Sequence, residues 1–434
     1  MIKPINLKNI SEKRNYLYII GAIVFFVLLL LRDAYSVEVN KYVFLAIVCV
    51  CAVLLRTKDI IYLFCFLFPL YVGLPGNYMT IVLIIRLLFE INRFKLSSLI
   101  LSVLVAVYIF VQNIVTRYTG TVPMMFVVGI ILILLLFTYK ENLEPIPMIV
   151  MYSAGVAALG IIMLVSTLNV YELSDLMETS FRLGSSNVDY VSKEIMNVSI
   201  DPNFYGTFAI ASISTAFPVI FKYSSKSFVK LCLAVFVGIQ IVVALIGLSR
   251  AFIIIFAVWA VLYLLLQKNI KRSLLILVVI ALIITLLINF MPTVIETVFA
   301  RFEDSDMATG NGRITLARKF LVEWSGGIMS FIFGVGLYKC NVHCTPLQFL
   351  FGGGLVTFSL AVALFFSYKP SKMIGRSLSD FLPFIVTFVM MCTVPAAGIL
   401  NFMFPLVYVG LSVQNTKDEG KTLIERSVAT ENER

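Results

Sequence analysis

The sequence predicts an all-α polytopic membrane protein, and three observations carry that reading. Hydrophobic residues make up 60% of its 434 residues and charged residues only 13%, against an apolar share of about 45–50% in soluble domains. The mean hydropathy is +0.99. Apolar runs long enough to form a membrane helix recur along most of the chain, since a hydrocarbon core about 30 Å thick takes about 20 helical residues per crossing.

Taken in order, helices are expected near 16–31, 39–55, 60–74, 78–92, 96–115, 121–139, 146–168, 202–221, 229–247, 251–267, 273–291, 346–367, 381–396 and 400–414. That is about fourteen crossings. The first run follows a basic tail but has no small-residue cleavage site behind it, so it reads as a retained helix. The pair at 60–74 and 78–92 is separated by Gly73, Leu74, Pro75, Gly76 and Asn77; if 60–92 is a re-entrant hairpin, the count falls to twelve. Asp201, Pro202 and Asn203 give an N-cap and an N1 proline to the helix at 202–221. The short helices at 381–396 and 400–414 flank Pro395, Ala396, Ala397 and Gly398. No internal repeat of the transporter kind is evident. Residues 1–414 therefore form one bundle, with long polar loops at 169–200 and 292–345 and a charged tail at 415–434.

The formal charge is +10, and its distribution points to membrane orientation rather than to nucleic acid. With the N-terminus in the cytoplasm, 22 of the 34 Lys and Arg fall on the cytoplasmic side and 11 on the other, with Arg86 inside a helix. Both long loops then face outward, and the tail is cytoplasmic. Arg86 and Glu90, four apart, are expected to pair. No P-loop is present, so ATP-driven transport lacks its motif.

The polar interruption from Met291 to Leu355 holds Arg301, Arg313, Arg318, Lys319, Lys339 and the sole histidine, His343. Arg313 opens a segment of helical periodicity in which Ile314, Ala317, Phe320, Leu321 and Trp324 share a face with it, after a breaker at Thr309, Gly310, Asn311 and Gly312. A cation at a helix N-terminus opposes the macrodipole. An anion between the two resolves that conflict, and so does a carboxylate from Glu303, Asp304 or Asp306. Arg250, in the turn Gly247 to Phe252, is open to two readings: a guanidinium reaching outer headgroups, or a fork for phosphate at the bilayer edge.

His343 has a reference pKa of about 6.5 and is the one side chain here that titrates near neutrality unperturbed; it is either incidental or a base. Cys340 and Cys344 flank it, and a disulfide within that loop is open outside the cytoplasm, whereas zinc lacks a fourth ligand. The other five cysteines lie in apolar segments and read as small hydrophobes. The run Glu303, Asp304, Ser305, Asp306 lacks EF-hand spacing and reads as a solvated face.

From Asp201 onward the pattern resembles the O-antigen polymerase and ligase family of bacterial inner membranes. The landmarks are Pro202 and Asn203 at a helix start, Ser249 and Arg250 in a turn, Gly312 and Arg313 with Trp324 in the long loop, then Gly334, Gly336, His343, Gly352 and Gly354. They cover roughly 201–357. The family pattern commonly has Asn or Ser after the histidine, where this chain has Cys344.

The resemblance implies a GT-C-like bundle and an inverting glycosyltransferase without metal or cofactor, its donor a polyprenyl-diphosphate-linked oligosaccharide. Arg250 and Arg313 are the implied diphosphate contacts, His343 the implied base, and Asn203 and Arg318 further contacts to donor or acceptor. A polymerase, a ligase of the same family, and a flippase or exporter of lipid-linked sugars all stay open on sequence. Membrane lipid is the expected surrounding, a chain-length regulator is a further partner the resemblance allows, and nucleic acid is not expected.

Overall fold

The computed structural model describes residues 16–90, 96–115, 143–169, 202–221, 226–247, 249–266, 312–337, 339–367, 378–394 and 404–412, with isolated helical positions at 129–136 and 277–289. Every regular element among them is helical. In chain order these are α1 (Leu17–Ala34), α2 (Lys41–Leu54), α3 (Thr57–Leu67), α4 (Gly76–Leu88), α5 (Leu96–Val115), α6 (Pro145–Leu168), α7 (Pro202–Phe221), α8 (Ser227–Ile246), α9 (Arg250–Leu265), α10 (Arg313–Ser325), α11 (Ile328–Phe333), α12 (Gly353–Ser367) and α13 (Leu378–Met391). A last helical stretch runs over 404–412. Four of them, α1, α6, α7 and α8, are long and apolar enough to cross a membrane. The helices expected at 121–139 and 273–291 lie, apart from the isolated positions, outside the described residues, as do 170–201 and 290–311 of the two loops.

The centre of the bundle is α6. It packs against α1, α3, α7 and α8, and its small residues let them come close. A Cβ on Gly155 would overlap the Phe66 carbonyl oxygen and lie 2.9 Å from its carbon. Polar groups tie the same region: Ser212 donates to Ser153 Oγ at 2.8 Å, and Gln240 Nε2 donates to the Ser153 carbonyl at 2.8 Å. Gly155→Ala should therefore lower the thermal midpoint of the detergent-purified protein. Alanine is worth about 1 kcal/mol over glycine in a helix, but overpacking costs ~1–3 kcal/mol, and here it is a backbone that must move. A midpoint that rises would show that α3 and α6 can separate freely.

Ion pairs and caps sort the helix ends into two sets. Lys58 meets Glu144 at 3.3 Å, Arg86 pairs with Glu90 at 3.3 Å, and Thr57 bonds Glu90. The ends at 56–58, 86–90 and 144 thus lie together. At the far end of α6, Ser166 donates to the Asp33 carbonyl at 3.1 Å and Asn169 to that of Ala34.

Two expectations change in detail. The run at 60–74 is α3 followed by 3-10 helix over Phe68–Gly73; with 11 and 6 residues they span about 28 Å at helical rises. The segment at 346–367 is not one helix. It starts as a single turn, Thr345–Leu347, passes through a π turn, Gln348–Gly352, and breaks at Gly354 (φ 69°, ψ −179°). An apolar run carries no sign of such a break, because hydropathy is blind to backbone sign.

Candidate functional site

The N-terminal ends of α7 and α9 meet. Ser249 caps α9 by accepting from Phe252 N at 3.3 Å, and its hydroxyl donates to Asn203 Oδ1 at 2.8 Å. Asn203 is the second residue of α7 and Arg250 the first of α9. Two sequence landmarks 46 residues apart are thereby in contact, with Arg250 half-buried beside them. Two helix dipoles present their positive ends here.

Arg313 begins α10 behind Gly312, which adopts φ +80° and where an added Cβ would meet no atom of the described residues within 4 Å. Glycine is needed for the backbone sign, not for room. The inward face of α10 is the buried Phe320 with Leu316, Ala317 and Trp324 half-buried beside it, and Arg313 falls on that face by helical spacing. Ile314 and Leu321, expected on that face, are each 44% exposed instead. Hydrophobicity alone assigned them inward; the outer surface of α10 and α11 carries Ile314, Leu321, Val322, Ile328 and Met329 as exposed apolar groups. Arg313 makes no ion pair among the described residues, and Arg318 stands exposed. The acidic candidates Glu303, Asp304 and Asp306 lie outside the described residues.

Phe320 packs in a small core with Cys340, Val342 and Phe351, against which Leu316, Ala317 and Cys344 also rest. Val342 and Cys344 flank His343, so the Arg313 helix and the histidine loop share one core. His343 itself is half-buried. Lys339 is tied down by Glu323 at 2.8 Å. Trp324 donates from Nε1 to the Phe331 carbonyl at 3.1 Å and stacks on that ring at 4.6 Å.

The glycine landmarks interlock. Gly334 (φ 82°, ψ 172°) and Gly354 lie back to back: a Cβ on Gly334 would stand 2.5 Å from Gly354 N, and a Cβ on Gly354 would overlap Gly334 N. Val335 N donates to the Phe351 carbonyl and Gly336 N to that of Gly352, both at 2.9 Å. Two strictly glycine conformations thus fold the loop onto the π turn next to His343.

Sequence reasoning missed what fastens this junction. Gln112 of α5, 4% exposed, donates from Nε2 to the carbonyls of Phe333 and Gly352, the latter at 2.9 Å. Tyr108, one turn earlier, reaches the Gly353 carbonyl at 3.4 Å. The signal was there, an amide inside an apolar run. Gln112→Leu removes both donors and should cost ~1–3 kcal/mol, read as a lower thermal midpoint; an unchanged midpoint would mean the amide bonds are replaceable.

The two halves are joined through α13. Thr345 Oγ1 donates to the Val394 carbonyl at 2.7 Å, just past α13. Met390 then packs on Gly206, whose added Cβ would lie 3.0 Å from Met390 Cε and 2.9 Å from Phe252 Cβ. Gly206 is one turn beyond Asn203.

The cysteines are arranged otherwise than expected. All seven are free, so Cys340 and Cys344 form no disulfide. Cys340 is buried, and burial pushes its thiol up to about 12. Among the described residues no three His, Cys, Asp or Glu side chains gather in one place.

No protein-family model matches this chain, and no curated protein matches it.

Proposed function

We propose that this protein is an O-antigen or capsular-type polysaccharide polymerase. It joins lipid-linked oligosaccharide repeats on the outer face of a bacterial inner membrane, with both termini cytoplasmic and about fourteen crossings. One observation carries the reading: landmarks that are far apart in sequence are paired in space. Asn203 bonds Ser249, the Arg313 helix shares a core with the His343 loop, and the Gly334 and Gly354 backbones interlock. The grouping of helix ends supports the topology, since Arg56, Lys58 and Arg86 come together at the end assigned to the cytoplasm.

In this mechanism His343 takes the proton of an acceptor sugar hydroxyl. The oxygen attacks the donor's anomeric carbon from the face opposite the diphosphate, whose C–O bond breaks with the electron pair leaving on the polyprenyl diphosphate. Configuration inverts. Arg250 and Arg313, with the helix N-termini that they open, balance the charge of the leaving group. Asn203 and Arg318 are available to glycan hydroxyls. The proton stays on His343 until solvent removes it.

The test is the gel profile of surface and lipid-linked glycans in a deletion strain. The expected profile is a single repeat on the surface acceptor with the ladder gone. Full-length polymer held on the polyprenyl lipid would make the protein a ligase, and repeats trapped on the cytoplasmic side would make it a flippase; either overturns the polymerase.

A further inference from the structure

We propose that α10 and α11 form a membrane-surface segment whose exposed face seats in a layer of anionic phospholipid headgroups. The proposal rests on the apolar helices crossing a membrane and is independent of the polymerase reading. Val322, Ile328 and Met329 are 69%, 74% and 70% exposed. Apolar side chains gathered so openly mark a surface that something covers. On α10, Ile314, Arg318, Leu321 and Val322 follow one another at i, i+4, i+7 and i+8, so they form one arc. It lies beside the arc that packs inward through Phe320.

The depth of α11 says what covers it. Its last residue, Phe333, accepts through its carbonyl from Gln112 Nε2, and its ring lies 6.2 Å from that of Tyr108 at 28°. Tyr108 and Gln112 belong to the apolar run Val103–Gln112 of α5, whose Val107, Phe110 and Val111 are exposed as lipid-facing side chains are. α11 also packs along α12. The exposed rings of Phe331 and Phe333 therefore stand level with lipid-facing groups and not out in solvent. Met329 is four residues from Phe333, about 6 Å of helix at most. The headgroup layer is about 5–7 Å thick on each side of the hydrocarbon core, so Met329 falls within it whatever the tilt.

The charge says which lipid. Between Gly312 and Phe333 the sole carboxylate is Glu323, and Lys339 holds it at 2.8 Å. Arg318 and Lys319 are both exposed, one within the apolar arc and the other at its edge. A helix of low net hydrophobicity that sets cations beside apolar groups lies in the interface and is drawn to anionic lipid. The stems of Arg and Lys rest on the apolar surface while their heads reach the phosphates. At that level Arg318 stays open to a glycan carried on a lipid in the same layer. Because the Phe320 side of α10 shares a core with the His343 loop, the seating also holds that loop against the bilayer surface.

The experiment uses the full-length protein with p-benzoylphenylalanine in place of Val322 or of Met329. Each variant, once its size-exclusion profile matches the wild type, is reconstituted in phosphatidylcholine vesicles containing a minor share of phosphatidylglycerol, irradiated, and analysed by mass spectrometry. The probe in place of Val107 on α5 serves as the lipid-facing control. The expected result is a lipid adduct at both positions, with phosphatidylglycerol several-fold over-represented relative to its share of the vesicle. Arg318→Gln combined with Lys319→Gln should bring that share down to the mixing ratio and leave lipid capture in place. A covalent dimer as the main product would make the face a contact between two copies of the chain and overturn the proposal. So would the absence of adducts at both positions while the Val107 probe captures lipid, which would put the segment in water. Lipid adducts in the mixing ratio with Arg318 and Lys319 intact would overturn the assignment to anionic headgroups.

Discussion

Gly354→Ala is expected to leave little or no correctly folded protein. Gly354 sits at φ 69°, ψ −179°, a region that costs a side-chain-bearing residue of order 1–3 kcal/mol. The methyl would also overlap the Ile332 carbonyl oxygen and the Gly334 nitrogen. Both are backbone atoms, and overpacking adds ~1–3 kcal/mol. The sum, about 2–6 kcal/mol, reaches the lower end of a typical domain's stability of about 5–15 kcal/mol. Size-exclusion profile and thermal midpoint in detergent provide the check. Gly312→Ala is the informative control, because that glycine shares the positive φ (80°) but its added Cβ would meet nothing within 4 Å among the described residues. It should cost only ~1–2 kcal/mol. Equal losses from the two variants would mean that backbone sign alone matters and the interlock contributes nothing.

His343→Ala is expected to abolish chain extension by the purified protein in liposomes supplied with lipid-linked repeats. A positioned general base contributes ~10²–10⁴-fold. The histidine is half-buried in a loop whose fold rests on Val342, Cys344 and the glycine junction, so the melting profile should move little beside that loss. Polymer made at the wild-type rate by a folded His343→Ala protein would remove the base from the mechanism. If extension falls while the thermal midpoint falls with it, His343→Gln, which keeps a polar side chain there, separates the two: a base gives no rescue, whereas a structural role gives partial rescue.

Much of the helical layout was legible because apolar run length and capping chemistry are local. Pro202 opens α7 as its sequence position suggests. Arg86 and Glu90 pair across one turn. What stayed hidden is non-local or depends on backbone sign. The break at Gly354 lies in a run that reads as uniformly apolar. Ile314 and Leu321 look like core residues, yet they sit on an outer face whose environment no periodicity reveals. The Cys340–Cys344 spacing left a local crosslink open, but both thiols are free. Gln112 announces a buried contact without naming the carbonyls that it meets.

The attachment of Gln112 to the Gly352 carbonyl also sets a clock for biogenesis. The two residues are 240 positions apart, and a ribosome adding ~5–20 residues per second needs about 10–50 s to make that stretch. Through this interval α5 must hold its amide without the Phe333 and Gly352 acceptors, in a nascent bundle where polar groups are costly to leave unmatched. The junction beside His343 is therefore a late product of synthesis, and a chain interrupted before Gly352 ends with its early helices made and this seam still open.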